Sequence, residues 1–336
     1  MDRERPGKVG AGVIGALVVV AALLWLSGVV GVPDAGLEDN SWGEIDDERI
    51  EILTTVWIDN PNPLGSESDV EYEVELASVQ IAAGSETGVD VPPGRTTRTF
   101  STDVDSQQIQ PWWSRHLSNG EVSTLVVNTT VHTSVGPFPV SRSDTYEAEI
   151  DTDIEGALDR GFSQFEGSYT ADTDAPDWTG IDPTVEVENV TARWGEVTNE
   201  TSELAVTVRI RNPNRYPIPV PGFTGSVAFN GVPVADWEAD DVELRNVSED
   251  ALIDSGEAEQ RTFLIEMDNG NLPEWFGTHV DNGEYTRVVV SGSFALTVDG
   301  YEVTLPPGGP GITCEFDLTT SIFVDQEGGM SFDRCQ

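Results

Sequence analysis

Three histidines, two cysteines and several close-set carboxylates are the side chains of this chain with the most capacity for chemistry. His116 and His279 close two short segments, Ile109 to Leu117 and Leu272 to Val280, that read as helices. There an imidazolium would favour the negative end of the helix dipole. Neither has a second histidine near it in sequence, so capping outweighs metal ligation, and His132 sits alone in a strand-like run. No HExxH, GxSxG or Walker pattern supplies a metal, a nucleophile or a phosphate cradle. Asp151, Asp153, Glu155 and Gly156 begin like a calcium loop, but Phe162 stands where the bidentate glutamate is needed. Asp172, Asp174 and Asp177 fit no better. These carboxylates read as solvated surface. The expectation is a protein that is not an enzyme and holds neither cofactor nor metal.

Cys314 and Cys335 are the only cysteines. Outside the cell they are a candidate disulfide tying the tail to the last strand; free thiols or pairing between chains stay open. Asn128, Asn189, Asn199 and Asn246 open Asn-x-Ser/Thr sequons and are candidate glycosylation sites where exposed. The N-terminus points the chain outward. From Val9 to Val32 no residue is charged, and as a helix rising about 1.5 Å per residue this run covers roughly 36 Å, enough for a bilayer core. Arg3, Arg5 and Lys8 precede it, while Asp34, Glu38 and Asp39 follow. The positive-inside rule then gives a single-pass signal anchor in the cell membrane, cytoplasmic at its N-terminus, with everything after it extracellular. A cleaved signal peptide competes, with a long apolar run and a poor cleavage site against it. Gly10, Gly12 and Gly15 match GxGxxG by chance, because no strand precedes them and no βαβ unit follows.

Acidic residues number 60 against 17 basic, a formal charge of -43, and Lys8 is the one lysine. The acid is spread along the whole chain. Such a surface repels itself unless counterions are concentrated, which points to a salt-loving source. Nucleic acid is excluded as a partner on charge. The expected partners are the lipid bilayer, through the N-terminal helix, and either lipids or another surface protein.

The elements that carry these residues are duplicated. Trp42-Gly43-Glu44-Ile45 recurs as Trp194-Gly195-Glu196-Val197, and at the same interval after each comes Asn60-Pro61-Asn62 or Asn212-Pro213-Asn214. Downstream, Arg98-Thr99-Phe100 matches Arg261-Thr262-Phe263, Pro111-Trp112-Trp113 matches Pro273-Glu274-Trp275, and Asn119-Gly120-Glu121 matches Asn282-Gly283-Glu284. Within each copy the apolar period is two, the mark of half-buried strands, as in Leu204, Val206, Val208 and Ile210. One short helix interrupts the strands of each copy and ends at Asn-Gly, a left-handed cap. Its tryptophans read as plugs over an open sheet end. Proline in Asn-Pro-Asn stops the strand, and asparagine side chains bind nearby backbone, so the motif reads as structural.

A strand ending in Asn-Pro-Asn, then Pro217, Pro219 and Pro221, an Asn-Gly-Val segment (Asn230 to Val232) and a late helix before hairpin strands resembles the WHy domain, that of type 2 late-embryogenesis-abundant (LEA) proteins. The second copy matches better. The first keeps Asn60-Pro61-Asn62-Pro63 but shows neither a clear leading strand nor Asn-Gly-Val. The resemblance implies an all-β fold of two tandem fibronectin-like or immunoglobulin-like β-sandwiches, each with one short helix, after an N-terminal transmembrane helix. The expected divisions are 1–8 cytoplasmic, 9–32 anchor, 33–41 linker, 42–154 first sandwich, 155–182 a partly ordered linker whose aromatics rest on one sandwich or the other, 183–325 second sandwich and 326–336 tail. Family members are associated with desiccation and osmotic stress, related domains with membranes or lipids, and none with a catalytic centre. The expectation is a noncatalytic surface protein supporting the envelope under drying or osmotic stress. The alternatives are a module binding lipid or an apolar small molecule, or a stalk or adhesin.

Overall fold

The computed structural model describes residues 31, 33–46, 49–135, 138–170, 184–238, 243–244, 252–298, 301–306 and 311–335. Almost all of the expected anchor, with Gly10, Gly12 and Gly15, lies outside them, as do Trp178, Asp172, Asp174 and Asp177. No helix among the described residues is long and apolar enough to cross a membrane.

The fold is all-β with a few short helices. The first copy contains β1 (Asp34–Ile45), β2 (Ile50–Asn60), β3 (Ser66–Leu76), β4 (Val79–Val91), β5 (Gly94–Asp103), α1 (Ile109–Ser118), β6 (Val122–Val135) and β7 (Phe138–Asp151). They form two antiparallel sheets, β1-β2-β5 and β4-β3-β6-β7. Then come α2 (Ile154–Ser163) and β8 (Gly167–Thr170). The second copy begins with β9 (Thr184–Val197), β10 (Thr201–Arg211), β11 (Ile218–Pro219), β12 (Gly222–Phe229) and β13 (Val232–Trp237). It continues through β14 (Glu243–Leu244), β15 (Leu252–Ile253), β16 (Ala258–Asp268), α3 (Leu272–Asp281), β17 (Tyr285–Val298), β18 (Tyr301–Leu305), β19 (Ile312–Thr319) and β20 (Gly329–Cys335). Its main sheets are β14-β16-β10-β9-β8 and β13-β12-β17-β19-β20.

Alternation decides which face of each strand is covered. On β3, Ser68, Val70, Tyr72, Val74 and Leu76 are buried, while Glu67, Asp69 and Glu71 point to solvent. Trp42 pairs with Ile52 and Trp194 with Leu204, so the strands around the two tryptophans share one register.

The structure departs from the expected layout in three places. The first copy does have a leading strand: β1 begins at Asp34, inside the stretch assigned to a linker, and pairs along β2. Its weak apolar alternation hid it, because an edge strand beside a sheet end needs few buried side chains. The stretch expected to link the copies holds regular elements, α2 and β8, while its aromatics do rest on one copy: Phe162 and Phe165 are buried and pack on Phe223, and Phe165 also on Phe294, inside the second copy. The expected tail contains β20, which pairs with β19.

Candidate functional site

Two of the three histidines and a pair of buried glutamates converge where the two copies meet. The helices α1 and α3 are each led by a short 3-10 turn whose capping aspartate accepts a backbone N–H: Asp105 from Gln107 and Asp268 from Gly270. Each helix ends on Asn119 or Asn282, followed by Gly120 or Gly283 at φ 72° or 73°. Glu121 and Glu284 come next, themselves at φ 63° and 60°. This double left-handed step turns each carboxylate back beneath the helix, where it is buried.

There it is saturated with donors. Glu121 accepts from the backbone N–H of Ile154 and Glu155 and from the Thr152 hydroxyl. Glu284 accepts from the N–H of Ile322, Phe323 and Val324 and from the Thr320 hydroxyl. The remaining donor of each comes from the opposite copy. The Trp194 indole N–H donates to Glu121 and the Trp42 indole N–H to Glu284, both at 2.8 Å. Equivalent residues thus exchange equivalent bonds, as in an isologous dimer interface built within one chain.

His116 and His279 belong to the same network, which overturns their reading as imidazolium helix caps. His116 and His279 are each 1% exposed. Burial pushes the pKa of both down from 6.5 to about 4, so they stand neutral. Their tautomer follows from their partners. Thr152 and Thr320 spend their single hydroxyl proton on the glutamates, so each must accept from histidine Nε2–H, at 2.8 and 2.9 Å. Nδ1 then accepts from Ser123 or Thr286, whose oxygen in turn accepts the indole N–H of Trp112 or Trp275. One directed chain runs from helix tryptophan through hydroxyl, histidine and threonine to glutamate. No sequence pattern announced it, because its members lie on separate elements; the recurrence of Asn-Gly-Glu was the available signal.

These bonds correct the repeat alignment at the helix. Trp112 is equivalent to Trp275 and Trp113 to Phe276, one residue off the proline-based match. Across the junction Trp113 meets Trp275 with ring centroids 5.3 Å apart and Trp112 meets Phe276 at 5.4 Å. Trp113 also lies on Trp194 and Phe276 on Trp42, at 6.4 and 6.0 Å. The aromatics plug each other, not an isolated sheet end. One break in symmetry is matched chemically: the Trp113 indole donates to Ser202, whereas the equivalent positions hold Phe276 and Ile50, with nothing to donate or accept.

The Asn-Pro-Asn motifs form two like clips at the far end of β2 and β10. Asn60 Nδ2 donates to the carbonyls of Leu64 and Val91, and Asn212 Nδ2 to those of Tyr216 and Ile253. Asn62 and Asn214 each pair their amide with one backbone residue in both directions, Gly31 and Thr184 respectively. Pro61 and Pro213 are exposed and end the strands.

Cys314 and Cys335 form a disulfide between β19 and β20. Asn189 on β9 and Asn199 in the following turn are exposed, whereas Asn128 on β6 is half-buried and accepts from the Thr145 hydroxyl. Asn246 lies outside the described residues. Glu155 accepts the backbone N–H of Trp194, and Asp153 pairs with Arg160. His132 bonds Ser141 and lies 3.6 Å from Glu71.

No protein-family model matches the chain, and no curated protein is similar to it in sequence. Among solved structures, a protein from Archaeoglobus fulgidus is 27% identical over 35% of this chain and 98% of its own, with a TM-score of 0.32. A candidate late embryogenesis abundant (LEA) protein is 15% identical over 41% of this chain and 84% of its own, with a TM-score of 0.25. Red sea bream transglutaminase is 8% identical over 86% of this chain and 33% of its own, with a TM-score of 0.21. Likenesses at these scores assign neither a family nor an activity.

Proposed function

We propose that the chain is a noncatalytic, membrane-anchored surface protein of the WHy or LEA type 2 kind, whose paired sandwiches support the cell envelope under osmotic or drying stress. The observation that carries the reading is the use made of the reactive residues. Two buried histidines, two buried glutamates and the tryptophans beside them, the groups an active site would draw on, spend their hydrogen bonds on one another: the histidines bond within their own copy, and the Trp–Glu bonds join the copies. A chain that commits its chemistry to rigidity is suited to a mechanical task. The dispersed acid, charge -43, keeps its exterior hydrated when water is scarce. The doubled Asn-Pro-Asn clip supports the family reading, and the uncharged run 9–32 behind three basic residues supports the anchor.

The test is deletion of the gene in its source organism, followed by drying and by abrupt salt shifts. Survival should drop and be restored by the intact gene. Unchanged survival in both regimes overturns the stress role.

A further inference from the structure

Most of this molecule's surface is studded with carboxylates, but at one tip they stand at the rim: exposed Asp34, Asp59 and Asp90 flank two loops that carry none. The loop 61–65, Pro-Asn-Pro-Leu-Gly, and the loop 91–94, Val-Pro-Pro-Gly, hold no charge. They are neighbours, since Asn60 Nδ2 bridges the carbonyls of Leu64 and Val91. Pro61, Pro63, Leu64, Pro92 and Pro93 are all exposed there. Leu64, at 78%, is the most exposed large apolar side chain among the described residues. Isolated exposed leucines are ordinary; five adjoining apolar residues in so acidic a chain are not.

The same tip fixes where the chain comes from. Gly31, the last residue but one of the uncharged run, is held in both directions by the Asn62 amide at 2.9 and 3.0 Å. It is packed so closely on Pro61 that a Cβ there would stand 2.6 Å from the ring. No slack separates the end of the apolar run from this loop. From Asp34 to Trp42, β1 then carries the chain away by roughly 26 Å to the junction with the second copy. Just behind the tip, the Arg95 guanidinium lies 4.5 Å over the Trp57 ring, a residue pair suited to the headgroup layer. The second copy uses the same clip without the apolar tip: Arg215 and Asp254 are exposed at the equivalent place.

We propose that the tip formed by Leu64 and its flanking prolines rests in the interfacial layer of the bilayer, so that the first sandwich stands on the membrane and the second is held away from it. The proposal rests on the reading of residues 9–32 as an anchor. Shallow burial of apolar loop residues adds membrane contact without insertion of a second span.

The test uses the full chain carrying Leu64→Cys, and separately Arg215→Cys, each labelled with a polarity-sensitive fluorophore; the native cysteines are disulfide-bonded and stay unlabelled. Both are reconstituted into phosphatidylcholine vesicles in concentrated salt, with and without nitroxide-labelled lipid. The expected result is co-flotation of both proteins. The probe at position 64 should show blue-shifted emission and lose intensity to the nitroxide, and the probe at 215 should do neither. Co-flotation with equal, unquenched emission at both positions overturns the tip contact while the anchor stands. Failure to float overturns the anchor and the tip contact together.

Discussion

Glu121 and Glu284 occupy the left-handed region, where a non-glycine residue costs on the order of 1 kcal/mol or more. The return is a buried carboxylate that meets four or more donors, the arrangement in which a buried charge is tolerated at all. Their stability depends on neutral histidines, because Nδ1 must accept from Ser123 or Thr286 while Nε2 donates. With the folded pKa depressed from 6.5 to about 4, the unfolded chain binds protons that the folded chain refuses. Stability is therefore complete above the unfolded value, declines as pH falls through the window, and levels off below the folded value. At about 1.4 kcal/mol per pKa unit, each histidine withholds on the order of 3 kcal/mol at the acid end. Urea denaturation in concentrated salt, from neutral pH downward, should show this decline. His279→Gln should be less stable at neutral pH yet lose about half of the slope. A variant with an unchanged pH profile would refute the assignment.

The hairpin β3–β4 and its counterpart β12–β13 show how one element is made from two different sequences. In the second copy Asn230 and Gly231 turn at φ 51° and 84°, as the Asn-Gly pair predicts. In the first copy Ala77 and Ser78 adopt φ 48° and 61°, a poor choice for either residue. Two supports offset the strain: the Ala77 N–H donates to Thr124, as Asn230 does to Arg287, and the Arg115 guanidinium donates to the carbonyls of Ala77 and Ser78. Replacing Ala77-Ser78 by Asn-Gly should therefore stabilise the protein by about 1 kcal/mol, read as a raised thermal midpoint; a lowered midpoint would mean the strain is fully relieved by Arg115. This also marks what was legible in the sequence. Alternation on β3 and β10, the Asn-Gly caps and the Asn-Pro-Asn stops carry their own local physics, so the long strands, the helices α1 and α3 and the duplication are legible. The β1 edge, α2, the Ala-Ser turn and the burial of His116 and His279 depend on partners distant in the chain, and in α1 and α3 the prolines stand one residue out of step with the tryptophans that carry the equivalence.

At the scale of the molecule, two opposing effects are both shared by the copies. One apolar cluster contains Trp113 and Leu76 from the first copy with Trp275, Phe229 and Phe316 from the second, and the exchanged Trp–Glu bonds cross the same boundary. Against this works a charge of -43 spread over both exteriors. Carboxylates two apart on one strand face, as at Glu67, Asp69 and Glu71, lie roughly 7 Å from each other. That is inside the screening length of about 10 Å at 0.1 M salt and beyond the roughly 3 Å at 1 M. Dilution of salt should thus unfold the protein with no change of pH or temperature. Because neither copy can leave without exposing the partner's tryptophans and taking one donor from its buried glutamate, both should go together. Scanning calorimetry over a salt series should give one transition whose midpoint falls steadily as salt is removed. Two resolved transitions would show the junction to be a contact between independent domains, and a midpoint indifferent to salt would show that the acidic surface is not what limits stability.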